Sequence, residues 1–291
     1  MAPFKVIIVG GGLAGALLAN GLRNNDMDVT VYERDERDME REGYQIRLGE
    51  SAMLGFRACL RGQDIAAISK SFAIPSYAKS FAISRVVLHD ILTEPLKQNG
   101  LVKYGNAFLR YEIIHEADGG ERVRAYFPDS SFDDCDILIG ADGSRSQVNK
   151  EVGLQNLVSI NTHWAFLAKG SLTLDQVYEL PSQLRWGTLR QCGQGANQAL
   201  HDCAEVLPEL LPLHEAAKTG VPLSTEQIRE ACSRYENQMA ERSFAWVKKS
   251  GGTSIVNLDM DGFLGKVVYY VGRILIPIWS FLHKTFRTET P

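Results

Sequence analysis

The 291-residue sequence predicts an α/β fold built on a parallel sheet. Three stretches carry that expectation. An apolar run from Val6 to Val9 feeds a glycine-rich turn and a helical pattern over Leu13 to Leu22. A second strand, Val29 to Tyr32, ends on an acid, Glu33. A further apolar run, Ile137 to Ile139, has the character of a central parallel strand covered on both faces.

The first turn is the most informative element. Gly10 permits the tight turn, Gly12 leaves out the Cβ that would block a pyrophosphate, and Gly15 lets helix and strand pack closely. The free N–H groups and positive dipole end of the helix then face an anion. Glu33 follows about 20 residues downstream, where a carboxylate accepts hydrogen bonds from ribose hydroxyls. Because that acid disfavours a 2′-phosphate, the expected ligand is FAD or NAD rather than NADP.

The later elements extend the same architecture. Ser84 reads as an N-cap, so Val86 to Leu96 is expected to be helical. Arg85 then sits where it reaches a phosphate or a flavin edge, or else forms a surface ion pair. Asp142-Gly143 follows the Ile137 run at its carboxyl end, where ligands sit in open α/β sheets. Asp142 either bonds a cofactor or fixes its own loop as an Asx turn. Gly193-Gln194-Gly195-Ala196-Asn197 opens another helix, running through Leu207, whose N-terminus stabilises negative charge.

Taken together, Gly10 to Gly15, Ile139-Gly-Ala-Asp-Gly143 with Ser146, Ser84 to Leu92 and Gly193 to Asp202 resemble the single-component FAD-dependent aromatic hydroxylases. These are the para-hydroxybenzoate-hydroxylase-like flavoprotein monooxygenases, and the likeness is strongest to members serving fungal secondary metabolism. The resemblance covers residues 4 to about 160 and 188 to about 250. It implies a three-layer Rossmann-like FAD-binding domain in which Gly10, Gly12, Gly15, Glu33, Arg85, Asp142 and Gly143 hold the ADP half. It also implies that Arg47, on the strand and loop Gly43 to Gly49, lies near the flavin. The helix start at Gly193, Gln194, Gly195, Ala196 and Asn197 would face the flavin edge where reduced flavin places its charge. Tyr235, Met239 and Arg242 are similar to the family's long C-terminal helix. NAD(P)H would be a transient reductant, and one oxygen atom of O2 would go to an aromatic, polyketide or terpenoid substrate.

One departure stands out. The resembled family carries a Gly-Asp pair on a strand just before the Gly-Gln-Gly helix, and its aspartate holds the ribityl chain. Here Arg185 to Cys192 contains neither that pair nor a histidine. Only about 40 residues separate the second fingerprint from that helix, where a substrate domain typically takes about 100. Thr162 to Lys169 is similar to the first strand of that domain, and Leu174 to Tyr178 to its next short helix. The expected layout is a discontinuous FAD-binding domain (1–160 and 188–250), a truncated substrate-domain sheet (161–187) and a C-terminal tail (251–291). Three functional classes stay open: a working monooxygenase, a non-redox cyclase or isomerase on the same scaffold, and an inactive shortened homologue or binding module.

Composition fits this reading. An apolar content of 45% allows a large core, and a net charge of -4 gives no reason to expect nucleic acid as a partner. The five cysteines (59, 135, 192, 203, 232) lack C-x-x-C spacing and read as reduced thiols, with no metal site expected. His201 reads as a surface residue rather than a general base. No signal-peptide pattern precedes the first strand, so an intracellular protein is expected. The charge-dense stretch Arg34 to Arg41 is a loop, Ala217 to Pro222 is a turn, and Gly251-Gly252 stops a long helix. Phe263 to Leu282 is apolar but interrupted by Lys266, Arg273 and Pro277, which are costly at a bilayer centre. Packing on the core, or lying on a membrane surface through residues 263–287, is expected for it instead.

Overall fold

A computed structural model describes residues 4–39, 44–74, 79–116, 120–153, 173–179, 194–220 and 223–252. The chain divides into two compact units: Met1–Val158 with Cys192–Val247, and Ser159–Gln191 with Lys248–Pro291.

The first unit is organised around a parallel sheet. Strand β1 (Lys5–Val9) leads through the glycine turn into helix α1 (Leu13–Asn24), and β2 (Asp28–Tyr32) pairs parallel to β1 with Val6 opposite Val29. Then come β3 (Gln45–Gly49), α2 (Glu50–Cys59), α3 (Gly62–Ser71), β4 (Ser80–Ser84) and α4 (Arg85–Gln98). A short β5 (Val102–Lys103) joins β2 on its outer side. Strands β6 (Arg110–His115), β7 (Glu121–Tyr126) and β8 (Phe132–Cys135) form an antiparallel sheet in that order, and β9 (Ile137–Gly140) returns to β1. The parallel sheet therefore runs β5-β2-β1-β9, while β3 and β4 make a separate antiparallel pair. Beyond β9 lie α5 (Gln147–Glu151), α7 (Gln194–Lys218) and α8 (Thr225–Gly252), with α6 (Leu174–Glu179) in the second unit.

The period-2 alternation of β1 accounts for the layers. Val6 and Ile8 point into one apolar cluster, formed with α1, α2, α4 and α7. Ile7 and Val9 point into another, formed with Tyr32, Phe108, Ala125, Phe127 and Cys135. A strand whose two faces are both buried must be apolar at every position, and all four of these residues are at most 4% exposed. Helices thus cover one face of the parallel sheet and the three-stranded antiparallel sheet covers the other.

The Ile137 run is packed in the same way, Leu138 against the second cluster and Ile139 against the first. Its place in the sheet differs from the expectation. Among the described strands β9 is at the edge and β1 takes the centre, so Leu138 and Ile139 are only partly buried.

Local signals set the helix ends. Ser84 accepts the Val87 N–H, capping α4 one residue earlier than the expected Val86 start. Ser146 accepts the Asn149 N–H and caps α5. In α6, Thr173 and Gln176 exchange side-chain-to-backbone hydrogen bonds, the reciprocal arrangement of a capping box. Helix α7 ends at Lys218, with Gly220 at φ +80°, and α8 ends on Gly252. Thr162 to Lys169, Arg185 to Cys192, Gly193 and residues 263–287 lie outside the described residues.

Helices α1, α2 and α7 pack at backbone contact distance. A Cβ added at Gly55 would lie 2.0 Å from the Leu200 carbonyl oxygen, and one at Gly21 would lie 3.0 Å from both Cys59 Sγ and Leu207 Cδ2. Cys203 Sγ lies 3.3 Å from the Ala14 carbonyl oxygen. Burial pushes the Cys59 thiol up to about 12 and raises Cys203 well above the ordinary thiol range, so both stay protonated. Cys59, Cys135, Cys203 and Cys232 are free thiols. Between α7 and α8, Arg242 donates to Gln198, Asp202 and Glu205. His201 joins this cluster, with Nε2 3.6 Å from Glu205 Oε1 and only 18% of its side chain exposed. It is therefore not the surface residue its sequence context suggests, because α8 covers that side of α7. No described helix is long and apolar enough to cross a membrane.

Candidate functional site

A cavity of about 780 Å³ opens where β1, β2 and β9 end. Gly10 and Gly12 line it from the first turn, Glu33 from the end of β2, Arg85 from the start of α4, and Asp142 and Gly143 from the loop after β9. Six residues expected at the ADP half of a dinucleotide, from four segments far apart in sequence, thus face one space.

The turn is built by exclusion. Gly10 has φ +104°, and a Cβ there would sit 2.6 Å from the Ala141 carbonyl oxygen. At Gly15, which is buried beneath the turn, a Cβ would meet the Gly10 carbonyl oxygen at 2.0 Å. At Gly12 a Cβ would meet nothing within 4 Å, because that position looks into the cavity. The three glycines therefore do different work: two are needed for the backbone to close, and the third keeps the mouth of the site open. Gly12 N-caps α1 and brings no side chain, so the helix start has no side-chain cap hydrogen bond.

Glu33 is 6% exposed and belongs to the turn as much as to the cavity. Its Oε2 accepts the Gly11 N–H at 2.7 Å and its Oε1 accepts the Asp35 N–H at 3.0 Å. On α4, His89 Nε2 lies 2.8 Å from the Gly11 carbonyl oxygen and, at 7% exposed, is buried. Tyr32, beneath the site, donates to Asp133 Oδ2 at 2.7 Å. Burial first, and that hydrogen bond second, raise the Tyr32 hydroxyl far above its ordinary value and keep it protonated. Asp133 is drawn down despite its own burial, because Lys5 and Tyr32 both donate to it.

Asp142 fixes its own loop. Its Oδ2 accepts the Gln147 N–H at 2.6 Å and lies 3.4 Å from Val148 N, fixing the start of α5. Its Oδ1 is buried without a partner among the described residues. A buried orphan acceptor is costly unless a ligand donor meets it. Arg85 and Arg145 also line the cavity, and neither forms an ion pair among the described residues. Met39, Phe108, Leu109 and Pro128 add an apolar wall. An uncapped helix start, two guanidinium groups that form no ion pair among the described residues, the Glu33 carboxylate and an apolar wall fit an adenine dinucleotide.

Among the described residues, those expected at the flavin side do not line this cavity. Arg47 lies exposed on β3 and donates to Ser80 Oγ at 3.1 Å. Gly195 is exposed at the start of α7 and a Cβ there would meet nothing within 4 Å, while Ala196 packs on the core. Asn197 is 4% exposed, and its amide is engaged with β3. Oδ1 accepts the Gly49 N–H at 2.8 Å and Nδ2 donates to the Arg47 carbonyl at 3.0 Å. It thus ties the α7 start to the strand that bears Arg47. Gly193 and the side chain of Gln194 lie outside the description. His89 and Arg145 went unmarked in the sequence. His89 leaves no local pattern there, whereas Arg145 stands inside the second fingerprint and was open to reading.

Comparison with known proteins points the same way. A family model described as an NAD(P)-binding Rossmann-like domain matches residues 8–38. The chain is 24% identical over 213 residues to the dual O-methyltransferase/FAD-dependent monooxygenase elcB of Phaeosphaeria nodorum, covering 63% of this chain and 23% of that protein. It is 29% identical over 173 residues to 3-amino-4-hydroxybenzoate 2-monooxygenase of Streptomyces cremeus, covering 51% and 42%. The match thus spans less than half the length of either relative. A crystal structure assigned as an FAD-containing monooxygenase from Photorhabdus luminescens superposes with a TM-score of 0.57 at 19% identity, covering 82% of this chain and 94% of that one. At that identity the likeness is one of fold. With its Rossmann-like α/β fold and a glycine turn answered by Glu33, the chain is similar over its amino-terminal part to FAD-dependent monooxygenases.

Proposed function

We propose that the chain binds FAD in this cavity and works as an FAD-dependent monooxygenase, drawing on NAD(P)H and O2 to hydroxylate or epoxidise a small aromatic, polyketide or terpenoid molecule. The observation that carries the reading is the convergence of Gly12, Glu33, Arg85 and Asp142 on one cavity at the carboxyl ends of β1, β2 and β9. FAD, when bound, supplies the electron transfer and oxygen activation.

The chain's own residues supply placement and charge. The uncapped start of α1 offers N–H donors and a positive dipole end to the diphosphate, and Arg85 and Arg145 add positive charge on the same wall. Glu33 accepts from ribose hydroxyls while holding the turn. Asp142 Oδ1 takes a ligand donor. The start of α7, pinned to β3 through Asn197, provides a second helix N-terminus for the flavin edge. In this reading the FAD-binding domain is discontinuous, 1–160 with 188–250. Residues 161–187 are what is left of a substrate domain, and 251–291 form a tail that meets a membrane surface through 263–287.

No Gly-Asp pair precedes Gly193, so FAD is expected to be held loosely and to need adding back. The test is an FAD and ADP titration of the purified chain, followed by NAD(P)H oxidation and oxygen uptake with candidate aromatic and terpenoid substrates. Saturable binding with substrate-stimulated oxygen uptake supports the proposal. Binding of neither ligand overturns it. Turnover of a substrate without NAD(P)H or O2 would instead select a non-redox enzyme on this scaffold, the reading favoured by the missing Gly-Asp pair.

A further inference from the structure

The turn that opens the nucleotide cavity contains three consecutive glycines, Gly10 to Gly12, and so has more conformational freedom than a binding surface tolerates. The peptide unit joining Gly11 to Gly12 is the most exposed to this problem. Flipping it requires changes only in the ψ of one glycine and the φ of the next, which no Cβ resists. A flip would exchange an N–H for a carbonyl at the mouth of the cavity and set an acceptor against an anionic ligand.

Two buried side chains hold the turn. Glu33 Oε2 accepts the Gly11 N–H at 2.7 Å, which fixes the Gly10–Gly11 unit. His89 Nε2 lies 2.8 Å from the Gly11 carbonyl oxygen, which belongs to the Gly11–Gly12 unit. A carbonyl oxygen only accepts, so Nε2 of His89 carries a hydrogen and donates it. In a trans peptide the C=O and N–H of one unit point in opposite directions, and the chain has no cis peptide among the described residues. Holding the Gly11 carbonyl against α4 therefore turns the Gly12 N–H the other way, and Gly12 lines the cavity. His89 stands four residues after Arg85, so one helix supplies both a cation for the cavity and the lock on its turn.

We propose that His89 is a positioning residue of the nucleotide site: as an Nε2–H donor it locks the Gly11–Gly12 peptide so that the Gly12 N–H is presented to the diphosphate of a bound dinucleotide. The ligand class rests on the FAD reading above, whereas the lock is a property of the ligand-free chain.

The test pairs three variants with two readouts. H89L and H89M remove the donor and keep apolar bulk, and the second stands in if the first does not fold. H89Q keeps an N–H donor of comparable reach. Thermal midpoints of the ligand-free proteins check folding. In 15N-resolved spectra of the ligand-free wild type, His89 should show the Nε2–H form, and the Gly12 amide should shift or broaden in H89L or H89M but not in H89Q. ADP affinity should fall about tenfold in H89L or H89M and return to within about threefold of wild type in H89Q. Wild-type affinity without the donor, no recovery in H89Q, or a bare Nε2 would overturn the proposal. If the wild type binds neither ADP nor FAD, the cofactor reading fails by itself, and the spectra decide the lock: an unmoved Gly12 amide in H89L or H89M ends it.

Discussion

Glu33 reaches back 22 residues to accept the Gly11 N–H, so the acid that closes the second strand also holds the turn that closes the first. Holding the turn and, in the proposed reading, receiving ribose hydroxyls are roles that substitutions can separate. Glu33→Ala leaves a buried N–H unpaired and should cost about 1–3 kcal/mol of stability as well as nucleotide affinity. Glu33→Gln keeps one of the two acceptor oxygens, enough for the Gly11 N–H, and should recover part of that stability while ADP affinity stays about tenfold below wild type, since hydrogen bonds to a charged group are the stronger kind. Thermal melts and calorimetric titration read the two effects. Equal ADP affinity in wild type and Glu33→Gln would remove Glu33 from the ribose site.

The glycines of the turn should separate in the same way. Gly15→Ala places a Cβ 2.0 Å from the Gly10 carbonyl oxygen and should prevent normal folding or lower the melting point sharply. Gly12→Ala meets nothing within 4 Å and should fold as the wild type does, yet lose FAD and ADP binding by about tenfold or more because its methyl enters the cavity. A Gly12→Ala protein that binds normally would show that no phosphate approaches this position.

Asp142 offers a third separation. Asp142→Ala removes the acceptor for Gln147 N and should cost about 1 kcal/mol through the start of α5. Asp142→Asn retains one carbonyl oxygen for that role and should restore most of the stability. If Oδ1 receives a ligand donor, Asp142→Asn should still bind ADP more weakly than wild type. Unchanged binding in both variants would assign Asp142 to the loop alone.

His214 on α7 gives the first unit a pH dependence. It is 7% exposed and neither ring nitrogen has a hydrogen-bond partner among the described residues. Burial first, and the nearby Lys218 cation second, lower its pKa below 6.5, against smaller opposing pulls from Glu215 and Asp26. The unfolded chain therefore binds more protons than the folded one below the unfolded value. Stability from the neutral ring is fully present above about pH 6.5 and is lost as pH falls from there toward the folded pKa. Urea midpoints at pH 7.5 and 5.5 should differ in that direction, and His214→Leu should flatten the difference. A wild-type midpoint that rises on acidification would contradict the assignment.

Much of this architecture was legible because it is written locally. The Val6 to Val9 run, the glycine spacing and the Ser84 cap each sit within a few residues of the structure they specify, and the helix at Leu174 was readable for the same reason. The functional contacts made between distant segments were harder to see. His89 meets Gly11 from 78 residues away, and Asn197 meets Arg47 from 150 residues away, through side-chain-to-backbone bonds that leave no periodic mark. Arg47 faces Ser80 because β3 pairs antiparallel with β4, a pairing that a short alternating strand does not announce. His201 is half-buried because α8 folds back over α7, which follows from Arg242 meeting Asp202 and Glu205 rather than from anything beside His201.

The packing of α7 on α1 and α2 also bears on how the protein is made. The apolar faces of α1 and α2 are covered by Leu200, Cys203 and Leu207, residues synthesised roughly 140 to 190 positions later. A nascent chain holding only the two fingerprint segments would carry a finished parallel sheet with one helical layer bare. It would have to wait for α7 to emerge from the ribosome before that layer closes. Late closure by a distant helix slows folding and leaves sticky surface in the interval. Chaperone dependence during synthesis, and aggregation of any product ending before residue 194, are the costs to be expected from placing the lid of the helical layer so far along the chain.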